Sequence, residues 1–286
     1  MDKIATGSTT DRRDLFGESA SRLGMNPAIV EKDFWVCWIL KRLFAEPTLK
    51  DQMVFKGGTS LSKVFGLIDR FSEDIDLILD WRLLGYGHAE GNDPYRTVQS
   101  KTKRSRYNQE MNAKAAEYIR GTLLGQLNRL LALVPNIAAS IDESDPHTVN
   151  VRYPAAFTAS YIRPEVRLEI GPLASWVPSH ARTIQPYAAT SFPRAFAESD
   201  CAVVAIDAER TFWEKATSSI RKHIGRERFP PDTRATTATC TSWRKVRSRR
   251  RHFLIAPYST PWSSSKSSSI IPPGHTTIRP VQVHSD

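Results

Sequence analysis

Between Met53 and Leu79 the chain places two glycines, two hydroxyls and two carboxylates in an order suited to phosphate chemistry. A short apolar run, Met53–Phe55, precedes Gly57 and Gly58. Leu61–Ile68 follows at helical spacing, and Ile75–Leu79 is strand-like again. The glycines let the backbone turn tightly and approach a ligand closely. Thr59 and Ser60 fall where a helix begins, so their hydroxyls and the free N–H groups of its first turn form an anion site for phosphate. On a strand, Asp74 and Asp76 point to one face, ~7 Å apart along the chain. Two such carboxylates repel unless a cation lies between them. The cation that combines carboxylates with substrate phosphates is Mg²⁺, or Mn²⁺ in its place. Alone, an Asp-x-Asp pair is an acidic edge and Gly-Gly-Thr-Ser a turn. Joined in this order, with apolar strands flanking both, they make a metal-dependent nucleotidyl-transfer site, with an NTP as substrate.

These groups need a scaffold. Residues 9–47 form one helical stretch that Thr9, Thr10 and Asp11 can cap and Pro47 ends. Residues 86–97 form a loop, and 98–134 a long helix, basic and polar first and then amphipathic through Ile119, Leu123, Leu127 and Leu131. Thr148–Tyr153 and Pro164–Ile170 are strand-like, and 203–217 begins as a strand and becomes a helix from Ala208. Strands mixed with helices in this way give an α/β or α+β fold. The longest apolar run, Phe34–Leu40, is far short of the ~20 residues of a membrane helix. The first residues lack the apolar region of a secretory signal. Cys37, Cys201 and Cys240 are too scattered for a zinc knuckle or a disulfide framework. A reducing cytoplasm, with no membrane partner, is the expected setting.

The net charge of +10 sits in one place. Residues 1–217 carry 27 Lys and Arg against 27 Asp and Glu, and 218–286 carry 13 against 3, so the basic excess belongs wholly to the tail. Residues 231–286 hold 18 Ser and Thr, many prolines and no sustained period, the composition of an irregular basic tail.

Phe55-Lys-Gly-Gly-Thr-Ser-Leu-Ser-Lys63, followed by Arg70-Phe-Ser-Glu-Asp-Ile-Asp-Leu77, resembles the signature of the AbiEii/AbiGii toxin nucleotidyltransferases, which include the MenT-type toxins. Glu31-Lys-Asp-Phe34 and Glu209-Arg-Thr-Phe-Trp-Glu-Lys-Ala-Thr217 are similar to the same family, so the likeness covers roughly 1–217. It implies an α+β, polymerase-beta-like nucleotidyltransferase core with additional helices. It also implies transfer of a nucleoside monophosphate from NTP to an acceptor, such as the 3′ end of tRNA, by a toxin that a separate antitoxin neutralises, in the setting of phage abortive infection. By position, Thr59 contacts phosphate, Asp74 and Asp76 hold the metal, and Lys215 contacts the nucleotide phosphates; outside this context Lys215 is a solvated helix lysine. Glu169, in Val-Arg-Leu-Glu-Ile, is a candidate third carboxylate, or else an edge-strand Glu paired with Arg167 or Arg163.

After Thr217 the chain leaves the family pattern. The family continues into an Arg-x-Ser-Arg-His-Tyr-Tyr-Asp-Leu-like block whose Asp completes the site, and nothing in 218–286 matches it. Back-translated and read from the third base of each codon, however, Pro231–Cys240 permits R-Y-S-R-H-Y-x-D-L. Thr217–Gly225 and Pro272–Asp286 permit family-like stretches in that same frame. The expectation is a frameshift close to Thr217, an incomplete toxin domain over 1–217 and an out-of-frame tail over 218–286. Two alternatives accompany an active nucleotidyltransferase toxin: a catalytically inactive remnant, and a nucleic-acid-binding protein that uses its basic tail.

Overall fold

The computed structural model describes residues 1–69, 71–87, 100–174 and 176–224. The chain divides into two units, Met1–Arg249 and Arg250–Asp286, and every described residue lies in the first. The expected irregular tail over 231–286, and most of the loop over 86–97, lie outside the described residues.

A single turn, α1 (Asp2–Ala5), leads into α2 (Thr9–Leu23). The Ser8 side chain caps α2 by accepting from the Asp11 N–H at 3.0 Å, and Gly24 ends it in the left-handed region at φ 63°. The next helix, α3 (Pro27–Ala45), starts at once, with Asn26 as its cap and Pro27 at its first position. The single helical stretch expected over 9–47 is therefore two helices, because Gly24 stops one and Asn26 starts the other.

The rest of the chain runs β1 (Met53–Lys56), α4 (Gly57–Lys63), β2 (Asp74–Leu79), a 3₁₀ turn over 81–84, α5 (Lys101–Tyr118), α6 (Leu124–Leu131), β3 (Ala138–Ile141), β4 (Thr148–Arg152), β5 (Glu165–Gly171), β6 (Ser179–Ile184), α7 (Tyr187–Ser191), β7 (Cys201–Ile206) and α8 (Ala208–Ile224). A π segment over 119–123 joins α5 to α6. The expected long helix thus holds, and its apolar stripe of Ile119, Leu123, Leu127 and Leu131 is buried. Helix α4 starts at Gly57 rather than at Leu61, so both glycines belong to its first turn.

The strands form one seven-stranded mixed sheet in the order β3-β4-β5-β2-β1-β7-β6. β2 runs parallel to β5 and antiparallel to β1, and β1 runs parallel to β7. The fold is α+β. Helix α3 lies against β7 and β5, with α2, α6 and α7 around it. Its residues from Val30 to Leu40 are all buried. Trp35 meets Trp38 edge-on at 5.7 Å and stacks on Tyr153 at 5.4 Å. By area, each buried tryptophan contributes about 4–6 kcal/mol.

β3 and β6 have no counterpart in the sequence reading. Both are edge strands of the sheet, and the middle of β6 is exposed over four successive residues, so no hydrophobic alternation marks it. Helix α8 continues to Ile224, past Thr217. Among the described residues no helix is long and apolar enough to cross a membrane.

Candidate active site

Along β2, Ile75 and Leu77 are buried while Asp74 and Asp76 are only partly covered, so the two carboxylates share the opposite face. Pairing extends this face sideways. The antiparallel register with β1 sets Lys56 beside Asp76, and the parallel register with β5 sets Glu169 beside Asp76 and Arg167 beside Asp74. Lys56, Asp76 and Glu169 therefore form one row across three strands, although Glu169 lies 93 residues after Asp76 in the chain.

Helix α4 closes the row. Gly57 sits at φ 83°, and a Cβ placed there would lie 1.8 Å from Asp76 Oδ2. The space a side chain would fill is thus taken by the Asp76 carboxylate, which also accepts from the Gly58 N–H. The sequence reading gave this room to a ligand; the structure gives it to a carboxylate of the site. The Thr59 hydroxyl donates to the Asp74 carbonyl oxygen and is buried. It ties α4 to β2. Ser60 is also buried, and among the described residues its hydroxyl has no hydrogen-bond partner.

The electrostatics follow from this crowding. Burial pushes the Asp76 carboxyl above its ordinary range. Lys56 and Lys215 draw it back, Asp74 pushes it further up, and the Gly58 N–H draws it down. Partial burial and then repulsion from Asp76 and Asp74 raise Glu169 against the pull of Arg167. Asp74, Asp76 and Glu169 thus act on one another as a cluster of negative charge that favours bound positive charge. Lys215, on α8, also acts on Asp76.

Two clefts flank the carboxylates. One, of about 300 Å³, is lined by Lys56, Asp76, Asp145, His147 and Glu169. The other, of about 420 Å³, is lined by Lys32, Glu73, Asp74, Tyr161, Arg163 and Arg167 among others. Neither Lys56 nor His147 stands out in the sequence. Lys56 does lie one residue before the glycine pair, and that neighbourhood was its only signal.

The donor set consists of carboxylate oxygens, the hard ligands that Mg²⁺ and Mn²⁺ accept. Among the described residues no three His, Cys, Asp or Glu side chains gather into a ready-made metal cage. An ion held beside these carboxylates would take most of its ligands from substrate phosphates and water.

No curated protein matches the chain closely enough to count as a relative. A protein-family profile, nucleotidyl transferase AbiEii toxin of type IV toxin–antitoxin systems, does match residues 38–234. That range holds the α4–β2 segment, Glu169 and Lys215; it begins after Glu31–Phe34 and continues past Thr217, where the family pattern was expected to end. With more than half of its length matched, and with the carboxylate row in place, the chain belongs to the AbiEii nucleotidyltransferase toxin family.

Proposed function

We propose that this chain transfers a nucleoside monophosphate from an NTP to a hydroxyl at an RNA end, such as the 3′ end of tRNA, and that a cognate antitoxin holds it in check in the cytoplasm. The observation that carries this reading is the row of Lys56, Asp76 and Glu169 beside Asp74 on an open face. It offers acidic oxygens for a divalent cation and cations for a polyphosphate in one place. A bound Mg²⁺ or Mn²⁺ supplies alignment of the triphosphate, a more acidic attacking hydroxyl and compensation of the charge that builds on the leaving pyrophosphate.

The protein's own groups do the rest. Asp74, Asp76 and Glu169 fix where positive charge can sit. Lys56 and Lys215, both close enough to act on Asp76, lower the repulsion between these acids and the incoming phosphates. The Gly57–Gly58 turn holds Asp76 in place. The acceptor hydroxyl attacks the α-phosphorus, the new P–O bond forms as the bond to pyrophosphate breaks, and the held geometry supplies most of the rate. The larger cleft beside Asp74, with exposed Tyr161 for stacking and Arg163 and Arg167 for phosphate, has the chemistry for an RNA end.

The test uses a chain read in the family frame after Thr217. Asp76→Asn should abolish NTP-dependent labelling of RNA, since it removes one charge from a site that needs each carboxylate. Labelling that survives this change places the chemistry elsewhere.

A further inference from the structure

Three consecutive charges, Glu31, Lys32 and Asp33, are 1%, 2% and 0% exposed in the middle of α3. A helix enclosed on every side has no solvent face for them, so each must find its own partner. Glu31 accepts from the N–H groups of Ala156 and Phe157 at 2.8 and 2.9 Å. Lys32 donates to Glu73. Asp33 pairs with Lys63 at 2.8 Å, and its second oxygen accepts from the Tyr187 N–H at 2.7 Å. Lys63 also donates to the Gln185 carbonyl at 2.7 Å.

Two of these partners border the candidate site. Glu73 directly precedes Asp74, the first residue of β2, and Lys63 is the last residue of α4. The opposite end of α4 carries Gly57 against Asp76 and Thr59 against the Asp74 carbonyl. Helix α3 therefore grips the α4–β2 pair at two points. Buried ion pairs add little to stability compared with apolar side chains of similar size, but removing one partner leaves the other charge buried without compensation.

We infer that Lys32 and Asp33 are positioning residues of the nucleotidyl-transfer site: Lys32 through Glu73 sets the entry of β2, and Asp33 through Lys63 sets α4, so that the two carboxylates of β2 keep their spacing to the first turn of α4. This rests on the reading of Asp74 and Asp76 as substrate-side groups. Nothing in it needs Lys32 or Asp33 to touch substrate.

The test is amide hydrogen exchange on the full chain, together with Mn²⁺-dependent binding of the α,β-methylene analogues of the four NTPs. Lys32→Met should speed exchange about tenfold or more over 72–78 while β4 keeps its protection, and Asp33→Asn should do so over 57–63 and 187–191. Both should weaken analogue binding about tenfold or more, and Lys32→Arg should restore it. If Asp33→Asn does not fold, Glu73→Gln, on a half-exposed partner, tests the Lys32 link with the same readouts. Unchanged exchange in these segments, exchange that rises evenly across the whole sheet, or local loosening with unchanged analogue binding overturns the inference. If the unsubstituted chain binds none of the analogues, the nucleotidyl-transfer reading fails, and the exchange pattern still decides whether α3 holds these segments.

Discussion

Gly57→Ala probes the closest contact of the site. The new Cβ would start 1.8 Å from Asp76 Oδ2, 2.5 Å from Cγ and 2.9 Å from Cβ. Swinging the carboxylate alone cannot relieve all three contacts, so the whole Asp76 side chain must move. Oδ2 needs to retreat from 1.8 Å to at least 3.0 Å, a displacement of about 1.2 Å. A misplacement of ~1 Å at a reacting centre costs on the order of 10²-fold in rate. The backbone adds its own penalty, because φ 83° at this position costs an alanine about 1–2 kcal/mol. For a body of this size that lowers Tm by roughly 2–8 °C. The assay is labelled-nucleotide incorporation into RNA by the frame-restored chain, paired with Mn²⁺ titration followed by electron paramagnetic resonance and a melting curve. Gly125→Ala serves as the control: it lies in α6 with open space around it, and alanine there should leave incorporation unchanged and raise stability by about 0.5–1 kcal/mol. A Gly57→Ala chain that incorporates nucleotide within about threefold of the original would refute the argument that Asp76 must stand where that Cβ would go.

Asp76→Asn should stabilise the metal-free protein at neutral pH. Burial raises this carboxyl in the folded state above its ordinary value of 3.8, so the folded chain keeps the proton to higher pH than the unfolded chain does. Stability is therefore lost as pH rises through the window above 3.8, and the variant escapes that loss; its Tm advantage at pH 7 should shrink as pH falls through that window, be gone by about 3.8, and reverse at pH 7 when excess Mg²⁺ is added. A variant that melts at or below the original at pH 7 without metal refutes the assignment of Asp76 as a destabilised site acid. On the expectation that 218–286 is read out of frame, the chain as it stands should add nucleotide to tRNA, and arrest growth, less than one read in the third-base frame after Thr217, by about 10²-fold or more. Equal activity of the two would show that 218–286 is a functional tail.

The local arrangement around Met53–Leu79 was legible in the sequence because it depends on short periods. Alternation along β2 alone puts Asp74 and Asp76 on one face, and a Gly pair after an apolar run alone announces a tight approach. The helical spacing of apolar residues over 9–47 announced helix there in the same way. What the glycine approaches was not legible: Gly57 makes room for Asp76, 19 residues on, and this follows from the antiparallel register of β1 and β2. Glu169 could be a site acid or the partner of a nearby arginine until the parallel register of β2 and β5 set it beside Asp76. Glu31, Lys32 and Asp33 read as three charges in an apolar helix, and only packing on several sides at once revealed a separate partner for each. The edge strands β3 and β6 were silent for the complementary reason, since exposed residues carry no burial pattern. Periodicity fixes which way a side chain points along its own element. Its neighbour across the sheet is set by strand register and helix packing between segments far apart in the chain, which short-range pattern does not encode.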